Sequence, residues 1–222
     1  MIGFHKGNEW IDELPTPVQA QIRERLIVST LEEGEHLYQR GADAIGLYQV
    51  LSGFLQLKAA GASGNEILVT VYGPGSWLGE IPLLGDGERA YDAVAQGKVK
   101  VAILPKKDFE DLTGEYPEIY RRLLPKLCGI ISGLLFHIEE TSLLSLRERL
   151  AKLILSAAKT YGDKQREGTV ITMPLSQEDM GKMLGVTRHS VQRELKIWKT
   201  KGLIDKQKGR WIVRDLDEIR NL

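Results

Sequence analysis

The stretch from Leu175 to Ile204, LSQEDMGKMLGVTRHSVQRELKIWKTKGLI, restricts the fold more than any other part of the chain. Ser176 followed by Asp179 has the spacing of a capping box, so a helix is predicted to open there and run to Met183 or Leu184, with Met180 and Leu184 apolar one turn apart. Gly185 can take the positive φ of a sharp turn. Thr187 then offers a second N-cap, and Val191, Leu195 and Trp198 form an i, i+4, i+7 apolar stripe on a second helix. Two short helices around a tight glycine turn make a helix-turn-helix. The opposite side of the second helix carries Arg188, His189, Gln192, Arg193, Lys196 and Lys199, none of them apolar.

That polar face suits duplex DNA. First-turn side chains of such a helix enter the major groove, where Arg188 or Arg193 can make two hydrogen bonds to guanine and Gln192 two to adenine, with His189 beside them. Ser176, Thr187, Ser190, the backbone N–H groups at the two helix starts and Lys199 are better placed for phosphates, which hold register without reading sequence. Downstream, Leu203–Val213 reads as two strands around Lys208-Gly209-Arg210, a hairpin wing with a basic tip. An exposed basic helix joining two domains is the alternative. The charge distribution favours the DNA reading: the formal net charge is zero, yet residues from 146 onward carry 17 Lys and Arg against 10 Asp and Glu, and those before it 13 against 20.

The preceding residues have a different grammar. Between Leu26 and Leu104, short runs such as IGLYQVL, FLQLKAA, EILVTVYG and VKVAIL are rich in β-branched and aromatic residues and punctuated by glycines from Gly34 to Gly97. The spacing is that of an antiparallel sandwich or barrel. Helices are expected near Pro15–Leu26 and Lys106–Thr113. From Tyr120 to about Ser145 a long helix places Leu124, Leu127, Ile131, Leu134, Ile138 and Thr141 at alternating steps of three and four, an a/d seam that asks for a second helix and hence a second copy of the chain. Packing of that helix against its own β-unit is the alternative. Gly129 and Gly133 weaken its propensity, and Pro125 marks either its start or a kink. Leu146–Tyr161 reads as another amphipathic helix. The chain thus divides into residues 1–118, 119–145 and 146–222.

Other functional classes fit less well. Cys128 is the single cysteine, which leaves one chain no disulfide and no four-thiolate zinc or iron–sulfur site. His5, His36, His137 and His189 are scattered with no H-x-H pair, so no metal site is expected, and no nucleophile–base constellation stands out. An enzyme on a β-roll of the cupin kind is thereby disfavoured. The N-terminus lacks an apolar stretch behind a basic start, and no apolar run approaches a membrane span, so a cytoplasmic location is expected.

Over nearly its full length the chain resembles the cyclic-AMP receptor protein / fumarate-nitrate regulator (Crp/Fnr) family, through PGSWLGEIPLL at 74–84 and the helix-turn-helix at 175–204. The resemblance implies an α+β fold: an N-terminal double-stranded β-roll, a long dimerisation helix and a C-terminal winged helix-turn-helix. It also implies a homodimer on a pseudo-palindromic duplex, contact with RNA polymerase, and a small-molecule effector in the roll. In cyclic-nucleotide-binding members a Gly-Glu pair opens a short helix beside the phosphate and a downstream Arg neutralises it; Gly79, Glu80 and Arg89 match. The implied effector set is Gly79, Glu80, Ile81, Arg89, Ala90, Leu134 and Leu135. A Glu80–Arg89 pair that simply braces the roll is the alternative.

The departures count against cyclic AMP. Ala90 and Tyr91 stand where a Ser or Thr then Ala would be expected, Asp92 adds a like charge, and Leu134 and Leu135 replace the Thr and Ser that face adenine. Haem sensing through His5, His36 or His137 stays open. His189 replaces a base-reading carboxylate, so the family's usual half-site is not implied. A nucleotide-binding module acting on a protein partner is the competing function, and the complete helix-turn-helix argues against it.

Overall fold

The computed structural model describes residues 3–7, 10–61, 64–85 and 87–222. The N-terminal part contains β1 (Phe4–His5), α1 (Thr16–Glu24), β2 (Ile27–Leu31), β3 (His36–Tyr38), β4 (Gly46–Ala60), β5 (Glu66–Tyr72), β6 (Trp77–Leu78), α2 (Glu80–Leu84), β7 (Asp92–Pro105) and α3 (Lys106–Glu115). Its strands join in the order β1-β5-β4-β7-β2, with β3 on β7 and β6 on β4; all pairs are antiparallel except β1 with β5. The long strands β4 and β7 pair almost end to end, and their register slips on both sides of Ser52. Such bulges increase local twist and bend a strand, which folds the sheet over into a roll. Tyr48, Val50, Leu55, Val99 and Val101 fill its interior.

The long helix α4 spans Glu118–Leu143 and runs through Pro125, so that residue lies inside the helix and does not start it. Two anchors explain why the helix begins earlier. Ile119 and Leu123 are buried with α1 and α3 in a shared core, and this packing outweighs the one backbone hydrogen bond that proline removes. The outward face beyond these anchors is different: Leu124, Ile131, Leu134, Leu135, Phe136, Ile138 and Leu143 are all at least 48% exposed. The two alternatives for this helix therefore apply to different halves, with its first turns packed on its own β-unit and the rest of the apolar seam uncovered.

Leu144 is extended, Ser145 caps α5 (Leu146–Tyr161) through a capping box with Glu148, and the C-terminal part follows: β8 (Gly162–Gln165), β9 (Gly168–Ile171), α6 (Gln177–Leu184), α7 (Arg188–Thr200), β10 (Ile204–Gln207), β11 (Arg210–Val213) and α8 (Leu216–Arg220). The expected wing is β10–β11, turned by Lys208 at φ 48° and Gly209 at φ 81°, the two positive values a two-residue type I′ hairpin requires. A second hairpin, β8–β9, was not anticipated and extends the sheet to β10-β11-β9-β8. Every residue of β8 is exposed and it has no apolar alternation, so only its pairing with the buried strand β9 makes it a strand.

The two parts are not independent bodies. Phe4, Leu68 and Val71 of the roll share one apolar cluster with Ile154, Met180 and Trp198 of the C-terminal part. Polar ties reinforce it. Gln56 Nε2 donates to Asp179 Oδ1 at 3.3 Å, Lys182 pairs with Glu66 at 2.9 Å, and the Tyr161 hydroxyl donates to the His5 carbonyl.

Candidate nucleic-acid interface and effector loop

The helix-turn-helix is built by its caps. Ser176 Oγ accepts from the Asp179 N–H at 3.0 Å while Asp179 Oδ2 accepts from the Ser176 N–H at 2.9 Å, so two N–H groups at the start of α6 are satisfied reciprocally. Gly185, at φ 65° and ψ 33°, ends α6 in the left-handed conformation that costs a residue with a Cβ. Thr187 Oγ1 accepts from the Ser190 N–H at 3.2 Å and opens α7. Val191, Leu195 and Trp198 are buried, which fixes the rotation of α7 about its axis. Arg188, His189, Gln192, Arg193, Lys196 and Lys199 are thereby turned to solvent, with Ser190 half-buried beside them. Arg147 Nε pairs with Glu194 at 3.0 Å and ties α7 to α5.

Lys199, expected as a phosphate contact, is already paired with Asp205 at 3.0 Å. Asp205 also accepts from Arg214 and from the Lys206 N–H, and the Lys199 hydrogen bond leads these in drawing its carboxyl down to about 2. Ser176 and Thr187, also expected as phosphate contacts, likewise spend their side chains on caps at the helix starts.

The effector loop departs from the expected arrangement. Gly79, at φ 100°, precedes Glu80 at the start of α2, and a Cβ there would lie 2.7 Å from Arg89 Nη1, so only glycine fits. Glu80 and Arg89 are both 2% exposed, but they do not pair with each other. Arg89 donates to the Gly79 carbonyl at 3.1 Å and the Gly46 carbonyl at 2.8 Å, and its guanidinium lies against the neighbouring rings of Tyr38 and Tyr48, 4.4 and 5.2 Å from their centroids. Glu80 Oε1 pairs instead with Lys126 Nζ of α4 at 2.9 Å, and that ammonium also donates to the Trp77 carbonyl at 2.7 Å. The expected Glu80–Arg89 brace is therefore corrected: Glu80 is tied to α4, and Arg89 to backbone carbonyls of the roll.

The remaining expected positions scatter. Ile81, Ala90, Leu134 and Leu135 are exposed, and Asp92 accepts from the Arg40 N–H at 2.9 Å. Ser76 Oγ and Trp10 Nε1 are buried without partners, and both residues line a cavity of about 30 Å³ beside Lys126, room for a water or two. Lys126, Tyr38 and Tyr48 were missed in the sequence, although Lys126 is a lone cation inside the apolar run LLPKLCGII. Among the described residues no group of three or more His, Cys, Asp or Glu gathers to hold a metal, and no helix is long and apolar enough to cross a membrane.

Comparison with known proteins agrees with this layout. Residues 28–116 match the cyclic nucleotide-binding domain and residues 148–222 the Crp-like helix-turn-helix domain. A CRP-like cAMP-activated global transcriptional regulator of Mycobacterium tuberculosis is 23% identical over 77% of this chain and 76% of its own length. The global nitrogen regulator of a Nostoc species is 28% identical over 76% and 77%. Among solved structures, a CooA mutant from Carboxydothermus hydrogenoformans superimposes with a TM-score of 0.75 at 18% identity, covering 94% of this chain and 90% of that one. With both domains matched in this order around a long connecting helix, the chain belongs to the Crp/Fnr family of transcription regulators.

Proposed function

We propose that the protein acts as a homodimer that reads a pseudo-palindromic duplex with α7 and receives its signal in the roll, with residues 1–118, 119–145 and 146–222 as sensing, dimerising and DNA-binding parts. One observation carries this reading: α7 is locked in rotation by three buried apolar residues while Arg188, His189, Gln192 and Arg193 point outward from its first turns. Such a helix fits a major groove, and two of them about 34 Å apart meet successive grooves on one side of DNA. The uncovered apolar seam of α4 supports the dimer. A change at α2 can reach α7 because α4 touches the roll at Lys126 and continues through Leu144 into α5, to which α7 is tied by Arg147 and Glu194. RNA polymerase as a partner and a cytoplasmic location follow from the same reading.

The test is selection of a preferred duplex from random sequence, followed by Arg188→Ala. The variant should weaken the selected site by about 1–3 kcal/mol and leave random DNA unaffected, because a base contact is specific where a phosphate contact is not. Equal loss on both duplexes would reassign Arg188 to the backbone; no selectable site in any buffer would remove the reading itself.

A further inference from the structure

In a nucleotide-gated protein of this architecture the ligand links the roll to the long helix, with an arginine for the phosphate and a carboxylate for a hydroxyl. Here both Nη atoms of the arginine and one oxygen of the carboxylate are engaged by the chain itself, and Arg89 Nε and Glu80 Oε2 stay buried without partners. Arg89 is 2% exposed, its two Nη atoms donate to the Gly46 and Gly79 carbonyls, and the adjoining rings of Tyr38 and Tyr48 lie against its guanidinium. Glu80 is equally buried and its Oε1 holds the ammonium of Lys126. A cyclic phosphate entering this loop would have to displace two carbonyls and two rings from Arg89 and bring its own negative charge toward the Glu80 carboxylate, whose Oε1 already holds an internal cation while Oε2 is buried without a partner. The residues present do not fit a nucleoside cyclic monophosphate.

We infer that Lys126 does the ligand's work. Its Nζ bridges Glu80 Oε1 at 2.9 Å and the Trp77 carbonyl at 2.7 Å, joining both sides of the 77–80 loop to α4. The bridge is sheltered, since the Lys126 side chain is 19% and the Glu80 side chain 3% exposed. An ion pair in that setting holds one geometry, because water cannot readily replace either partner. Lys126 lies on the same helix as the apolar seam, one turn beyond buried Leu123 and two residues after Leu124, the seam's first residue. A fixed contact there sets how α4 leaves the roll, and so how two copies meet. Lys126 is therefore a positioning residue that holds the protein in its DNA-binding arrangement without a cyclic nucleotide. This rests on the reading of the protein as a DNA-binding dimer.

The experiment compares wild type with Lys126→Met and Lys126→Arg in binding to the selected duplex, alongside equilibrium dialysis of wild type against 3′,5′-cyclic AMP and cyclic GMP at millimolar concentration. Wild type should bind the duplex unaided, take up neither nucleotide, and show affinity unchanged by them. Lys126→Met should lose about tenfold or more in specific affinity while circular dichroism and dimer mass stay the same, and Lys126→Arg should recover most of it. Recovery by a second cation separates positioning through the bridge from simple filling of space. If Lys126→Met misfolds because it strands a buried carboxylate, Glu80→Gln/Lys126→Met removes both charges together and should show the same loss. Saturable uptake of either nucleotide by wild type, or full DNA affinity in the folded Lys126→Met or double variant, overturns the inference. A wild type that prefers no duplex would fail the DNA reading instead, and the dialysis would still decide whether the loop accepts a nucleotide.

Discussion

His5 shows how strongly a single side chain can depend on its setting. Its ring stacks on Tyr72 with centroids 4.6 Å apart, and its carbonyl accepts from Tyr161 of α5. Burial, with a smaller contribution from the Lys126 ammonium, draws its pKa down from 6.5 to about 4. The folded imidazole stays neutral where the unfolded one takes a proton, so acid favours the unfolded chain. This stabilisation is whole above pH 6.5 and drains away as pH falls toward 4, amounting to no more than about 3 kcal/mol. His5→Phe keeps the stacking and removes the titration, so thermal melts should fall less steeply between pH 6.5 and 4 than in wild type. Parallel curves would show that other groups govern the acid limb. The sequence offered His5 as a scattered histidine and a candidate haem ligand, and its stacking and burial were not legible there because Tyr72 and Lys126 are distant along the chain.

At the level of elements, helices were the most legible. Caps and apolar periodicity are local, so α5, α6 and α7 begin where Ser145, Ser176 and Thr187 stand in the sequence. Ser176→Ala should cost about 1 kcal/mol in urea unfolding and speed amide exchange in the first turn of α6, since the Asp179 N–H loses its acceptor. Unchanged exchange there would mean that the Gln56 contact to Asp179 and the packing of Met180 hold the turn without the hydroxyl. The tie from Lys182 to Glu66 is partly exposed, and Lys182→Ala is expected to cost under about 1 kcal/mol by the same melts. A loss of several kcal/mol would make that pair a principal clamp between the two parts. Strands were harder to read. β8 is polar throughout and β1 has two residues, so neither carries a periodic signal; each exists because a partner strand lies beside it.

For the whole molecule, the uncovered half of α4 is the dominant feature. Ile131 and Ile138 are 59% and 62% exposed in the single chain, and such a stripe favours burial against a second copy. Ile131→Glu places a charge in that seam and should shift sedimentation equilibrium from dimer toward monomer at micromolar concentration, with DNA affinity falling in parallel. A dimer as tight as wild type would locate the interface elsewhere. Much of the molecule followed from sequence alone: the glycine-punctuated β-unit, the long helix, the capped helix-turn-helix and its basic face, because each is written in neighbours a few residues apart. Tertiary structure alone decided that Glu80 meets Lys126 instead of Arg89, that Arg89 turns inward to Gly46 and Gly79, and that α6 rests on β5. Those outcomes depend on contacts across tens of residues, where the partner of a charge is chosen by which groups burial brings together and not by their order in the chain.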